Sequence, residues 1–408
     1  MHAAGVLAKP DTLSEFGLRR VLVVLCVSEI VSWGVLYYAL PVLAPAIADS
    51  TGWSIAGVTA AFSTGLVVSA LVGIPVGRWL DRIGPRLVMT TGSVLAVPAV
   101  VGIALAPTLP WFVAAWVLAG VAMAGTLYPP AFAALTRWWG PRRLAALTAL
   151  TLLAGLSSTI FAPLTATLLA HGGWRHTYLT LAAVLGSITI PGHLWGLRGR
   201  WPEPDPAETV RQEHVPDAII RSRAFLLLVA AVALGTFTAF AVVVNQVPLL
   251  IERGMSTTSA AWALGLGGLG QVLGRLGYRH LVAATTVRVR GVVVLALTAA
   301  TTGLLAVLPG PATLLIAAAM LAGAARGVFT LLQATAISDR WGAAHYGRLN
   351  GLLSAPALLA TALAPWAGSA LAQTLDGYPA VFALLAALGA LAAVLAAGTV
   401  PTGQRHPT

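Results

Sequence analysis

Two ionisable residues lie inside long apolar runs, where a charge is costly and its presence implies a task. Glu29 stands nine residues past Arg20, and Arg326 ten residues before Ala336. At 1.5 Å of helix rise per residue they sit about 13 Å and about 15 Å inward. Both are then near the midplane of a hydrocarbon core roughly 30 Å thick. A guanidinium at that depth suits an anionic solute, and a carboxylate suits a travelling proton. The alternative is a mutual ion pair that only locks the structure. A second stretch with chemical character runs Gly73-Ile-Pro-Val-Gly77-Arg78-Trp-Leu-Asp81-Arg82-Ile-Gly84-Pro-Arg86. It is glycine-rich and basic, with Asp81 as its one acid. Asp81 is placed to accept from a helix N-terminus, or to pair with Arg78, Arg82 or a more distant arginine. Gly73 and Gly77 share a face and predict close approach of a neighbouring helix.

The elements that must hold these residues follow from composition. The chain has 408 residues, 58% hydrophobic and 9% charged. A soluble domain carries about 25% charged residues, so a membrane protein is implied. The net charge of +11 comes from arginines and Lys9, set mostly at the ends of apolar runs, which points to membrane topology rather than nucleic acid. The lone Cys26 excludes an intrachain disulfide, and the eight histidines lack ligand spacing. No nucleophile set, metal set or glycine-rich phosphate loop supports an enzyme, a cofactor or ATP driving. Residues 1–20 lack a cleavable signal pattern and read as a cytoplasmic tail before a retained first helix.

Twelve spans are predicted, near 21–46, 54–77, 87–106, 111–136, 144–170, 177–197, 224–250, 258–277, 291–309, 312–337, 350–372 and 378–399. With both termini cytoplasmic, all but three of the 24 basic residues fall inside: Arg175 and Arg253 fall outside, and Arg326 within a span. Arg275 is placed among the inside loop charges. Residues 198–223, with Trp201-Pro-Glu-Pro-Asp-Pro206, read as a cytoplasmic linker between six spans (21–197) and six more (224–399), followed by a cytoplasmic tail (400–408). The halves repeat. Gly125, Trp139, Gly140 and Pro163 recur as Gly327, Trp341, Gly342 and Pro365, 202 residues later. Gly73, Gly77 and Arg78 match Gly270, Gly274 and Arg275 at a shorter offset, which sets Tyr278 opposite Asp81.

Gly77, Asp81, Arg82, Gly84 and Arg86 resemble the loop signature of the major facilitator superfamily, a conformational switch motif. Trp33-Gly34 with Tyr37-Tyr38-Ala-Leu-Pro41, Gly173-Trp-Arg175 and Tyr346-Gly-Arg348 are similar to its monocarboxylate and oxalate carriers. The fifth-helix proton-antiporter signature keeps only Gly155 and Pro163, with Ala162 before the proline. The resemblance implies an all-α membrane protein, twelve helices in two pseudo-symmetric six-helix bundles, working by alternating access. It implies that the first, fourth, seventh and tenth helices line a central cavity.

On those helices Glu29 is expected to couple a proton. Arg326, Trp33, Tyr37, Tyr38, Tyr128, Asn245, Gln246 and Gln333 are expected to bind substrate, near Ser32, Thr126 and Thr330. Aromatic walls with few polar anchors suit a small organic solute, although packing or an interfacial belt accounts equally well for any single ring. Gln271 is a lesser candidate, and His171 and His193 are expected at the interfaces. The expected function is secondary active transport of a small organic anion or carboxylate, coupled to a proton gradient. The expected setting is the cell membrane, as a monomer in the lipid bilayer. Export of drug-like metabolites and ligand sensing without transport are the alternatives.

Overall fold

The computed structural model describes residues 13–202, 217–342 and 346–401. Residues 1–12, most of the expected linker (203–216), 343–345 and 402–408 lie outside the described residues, and Tyr346-Gly347-Arg348, expected as a turn, begins a helix. Among those described, the chain is helical throughout and has no strand. In lipid a backbone must satisfy its own hydrogen bonds, so apolar runs of this length become helices. Polar side chains start them. Ser14, Ser54, Thr108, Ser222, Ser256 and Thr286 each accept from a backbone N–H one turn on.

Among the described residues, twelve helical rods cross the molecule. They are α1 (Glu15–Thr51), α2 (Ile55–Ile83), α3 (Pro85–Ala104), α4 (Leu109–Trp139), α5 (143–172), α6 (174–196), α7 (Arg223–Glu252), α8 (Thr257–Ala284), α9 (Val287–Val307), α10 (Ala312–Thr335), α11 (Tyr346–Thr374) and α12 (Tyr378–Ala396). Only α8 is too polar to pass as a span by mean hydropathy, diluted by Gln271, Arg275, Arg279 and His280. The rod Arg143–Gly196 divides into α5 and α6 at Gly173, whose φ of 71° breaks the helix. The first helix begins at Glu15, six residues earlier than the charge pattern suggests. Likewise α2 continues to Ile83, so Gly77, Asp81 and Arg82 ride its last turns and the turn itself is Gly84-Pro85.

The repeat is regular at 202 residues. Gly52 and Gly254 end α1 and α7 with φ of 74° and 84°. Ser54 and Ser256 cap α2 and α8, and Gly84 and Thr286 open α3 and α9. This register overturns the match of Gly73, Gly77 and Arg78 to Gly270, Gly274 and Arg275, and sets Ala283, not Tyr278, opposite Asp81. The glycines serve different contacts. Gly270 and Gly274 lie against the Met320 and Ala324 carbonyls of α10, whereas a Cβ at Gly73 or Gly77 would meet nothing within 4 Å. The close packing expected of Gly73 and Gly77 is therefore absent. Gly65 and Gly120 provide it between α2 and α4, and Gly267 and Gly323 between α8 and α10.

The two bundles meet at the face away from the termini. One core there mixes Leu43, Ile47 and Phe62 with Val243, Val247, Leu250 and Leu264. Trp366 N donates to Ser63 Oγ (3.2 Å), and Thr159 Oγ1 donates to the Gly265 carbonyl (2.8 Å). Toward the terminal face each bundle has its own core, around Leu18, Leu25, Trp138 and Leu150 in one and Phe225, Ile337, Leu349 and Leu353 in the other. The halves are thus sealed together at the far face and separately packed at the terminal face.

Candidate functional site

The centre of α1 is a π-helical turn, Gly34–Tyr38. Such bulges re-aim side chains and recur at functional sites. Gly34 is required there, because a Cβ would overlap the Phe161 ring of α5. The bulge presents Trp33, Tyr37 and Tyr38 together. The Trp33 ring lies 5.3 Å from Tyr37, 6.4 Å from Tyr38 and 5.1 Å from Tyr128 of α4. Phe132 stacks on Tyr128 at 5.0 Å, and Phe240 of α7 meets Tyr37 edge-on at 6.1 Å. One turn before the bulge, Glu29 is fully buried and neither carboxylate oxygen has a hydrogen-bond partner. The Trp33 indole N–H, one turn further on, is likewise buried without a partner.

The opposing half contributes cations. Arg326 is buried, and its Nε donates to Gln271 Oε1 at 3.0 Å, while its Nη2 has no partner. Gln271 and Arg275 are four apart on α8 and share a face. Arg275, expected among the loop charges, is 7% exposed inside the molecule. It donates to the Thr151 carbonyl of α5 across the two halves, and its Nε has no partner. Gly155 leaves room for it, since a Cβ would come within 3.1 Å of Arg275 Nη1. The counting of basic residues by span ends missed Arg275. The usable signal was the low hydropathy of α8 together with its Gln271–Arg275 spacing.

Glu29 and Arg326 form no ion pair, so the mutual lock does not hold in this structure. The remaining expected residues divide. Asn245 Nδ2 donates to the Ala241 carbonyl (2.9 Å) and its Oδ1 accepts from Ser369 (2.8 Å), which commits it to the α7–α11 contact. Gln333 donates to Thr236 Oγ1 at 2.8 Å. Gln246 Nε2 and Ser32 Oγ are buried without partners, while Thr126 and Thr330 bond back to their own helices. His171 is exposed, but His193 is fully buried rather than interfacial, its Nδ1 2.8 Å from Ser93 Oγ and 3.1 Å from the Met89 carbonyl. A cavity large enough for about one water lies beside Arg326, lined by Thr298, Thr301 and Thr302. Those hydroxyls all bond carbonyls of their own helix.

At the terminal face Asp81 pairs with Arg137 of α4 at 2.5 Å, within its own half. Arg137 also lies over the Trp201 ring at 4.7 Å, and Trp201 Nε1 donates to the Asp81 carbonyl at 3.1 Å. Gly84 faces that same ring, and Arg86 Nε donates to the Leu194 carbonyl at 2.8 Å. The other half reverses the arrangement, with Arg290 of α9 donating to Asp339 beyond α10. Beside them Arg340 holds the Thr399 carbonyl and hydroxyl, and burial pushes its guanidinium down to about 10.

Comparison with known proteins agrees with this architecture. The Major Facilitator Superfamily model matches residues 25–289 and 282–407. The chain belongs to that superfamily and is a multi-pass membrane protein. It is 29% identical to monocarboxylate transporter 13 of Bos taurus over 216 residues, 52% of this chain and 50% of the relative. It is 23% identical to the MFS-type transporter YcxA of Bacillus subtilis over 203 residues, 48% of this chain and 49% of the relative. The chain spans about half the length of the curated relatives it matches. A bacterial homologue of the human lysosomal transporter Spinster, solved inward-facing and unoccupied, superposes with TM-score 0.78 at 16% identity, over 97% of this chain and all of that one. The nucleoside transporter NupG superposes with TM-score 0.71 at 13% identity, over 92% of this chain and 98% of that one. At such identities the likeness is one of fold.

Proposed function

We propose that this chain is a secondary active carrier of a small organic anion, a carboxylate, coupled to protons by alternating access. One observation carries the reading: two guanidiniums are buried deep within membrane helices, Arg326 held by Gln271 one helical turn from Arg275, and each keeps a nitrogen lacking a partner. An isolated arginine at such depth costs at least about 2.5–3.5 kcal/mol on insertion scales, and a second nearby adds repulsion. A bound carboxylate relieves both by accepting charge-assisted hydrogen bonds. The partial similarity to a monocarboxylate transporter supports the same solute class.

Glu29 is the coupling group in this reading. It is buried near the aromatic wall with no cation bonded to it, so it is held most cheaply as the neutral acid. The sealed far face and separately packed terminal face support an inward-facing state, with both termini and the linker in the cytoplasm and the protein in the cell membrane. The test is uptake by reconstituted vesicles. An imposed proton gradient should drive accumulation of a carboxylate, and Arg326→Gln should abolish it while the protein remains monodisperse. Accumulation of organic cations instead, with carboxylates ignored, would overturn the reading.

A further inference from the structure

We propose that the anion has a flat aromatic body, so that the solute is an aryl monocarboxylate. This rests on the anion reading of the same site and adds the shape of the rest of the molecule. The site has two unlike walls. The first half presents rings: Trp33 has Tyr128 at 5.1 Å and Tyr38 at 6.4 Å, and all three remain partly exposed although they lie in mid-span. The other half presents Arg326, held by Gln271, and Arg275, which reaches across to the Thr151 carbonyl of the first half.

Each alternative solute leaves one wall unsatisfied. A short aliphatic acid meets the guanidiniums but covers little ring surface. A dicarboxylate brings its second charge against the electron-rich ring faces, which repel anions. An organic cation suits the rings but meets two arginines. An aryl carboxylate sets its charge on the arginine side and its ring among aromatic neighbours, where offset or edge contacts add to simple burial. Arg326 is oriented for this, since Gln271 holds its Nε and leaves Nη2 available.

The test is ligand binding to the purified full-length protein, read by tryptophan fluorescence and by thermal shift. The probes are benzoate, phenylacetate, cyclohexanecarboxylate, acetate, succinate and benzylamine. Benzoate or phenylacetate should bind at least 10-fold more tightly than acetate, and more tightly than cyclohexanecarboxylate, which matches benzoate in size without a π face. Trp33→Leu should bring the benzoate-to-acetate ratio close to one, and Trp33→Phe should keep it high, which separates stacking from misfolding. If acetate or succinate matches benzoate and still requires Arg326, the aromatic proposal fails while the anion reading survives. If benzylamine is preferred, or no carboxylate binds, the anion reading falls and takes this proposal with it.

Discussion

Arg275 shows how a residue's meaning depends on depth rather than on type. Counted by sequence it joined the other basic residues near span ends. In the fold, α8 runs to Ala284, nine residues further, which draws Arg275 into the interior. A charge-assisted hydrogen bond contributes about 1.5–3 kcal/mol. Arg275→Gln should therefore weaken binding of the proposed carboxylate about 10- to 150-fold. Equilibrium binding checks this, and an unchanged Kd would remove Arg275 from the site. Glu29→Gln mimics the protonated acid permanently. It should preserve exchange of solute across vesicle membranes and lose accumulation against a gradient, measured as counterflow against proton-driven uptake. Retained accumulation would rule out Glu29 as the coupling group. Glu29 and Arg326 themselves were legible in the sequence, because charge inside an apolar run is visible without a fold. Their lack of mutual contact was not, since α1 and α10 belong to different bundles.

Among the helices, existence and order were readable from apolar runs and arginine placement. What the runs hide is which glycine face meets a neighbour. Gly73 and Gly77 have the spacing of a packing motif, yet their face is open. Gly323 sits against the Gly267 backbone, where any side chain forces α8 and α10 apart. Overpacking of this kind costs typically 1–3 kcal/mol. Gly323→Val should lower the thermal midpoint clearly, while Gly77→Val leaves it nearly unchanged. Equal midpoints for the two variants would show that the α8–α10 approach is not as close as described. The two arginines that broke the charge pattern also have structural tasks. Arg175 donates to the Ala104 and Ala106 carbonyls that end α3, and Arg253 to the Ala306 carbonyl of α9. These are corresponding helix ends in the two halves, and a cation completes each.

For the whole molecule, the twelve-rod fold was legible because its parity, charge alternation and repeat constrain one another. The arrangement of the halves was not, since a run of apolar residues does not say which of two cores it will join. The proposed orientation predicts that a cysteine at Asp376, exposed between α11 and α12, reacts with an impermeant thiol reagent added outside intact cells. One at Arg143, exposed at the terminal face, should react only after permeabilisation. The reverse pattern would invert the molecule.

Trp201 has one more consequence. Its indole N–H, its ring face and the Trp138 bond to the Arg200 carbonyl fasten the chain leaving α6 to the first bundle. Each bundle also keeps its terminal-face ion pair to itself, Asp81 with Arg137 and Arg290 with Asp339. Covalent continuity is then dispensable. A gene cut after residue 205 gives two fragments, each keeping its own terminal-face ion pair, whose reunion depends on the shared apolar surface at the far face. Co-expressed fragments should copurify and restore transport, whereas a cut after residue 196, which separates Trp201 from Arg137, should recover much less.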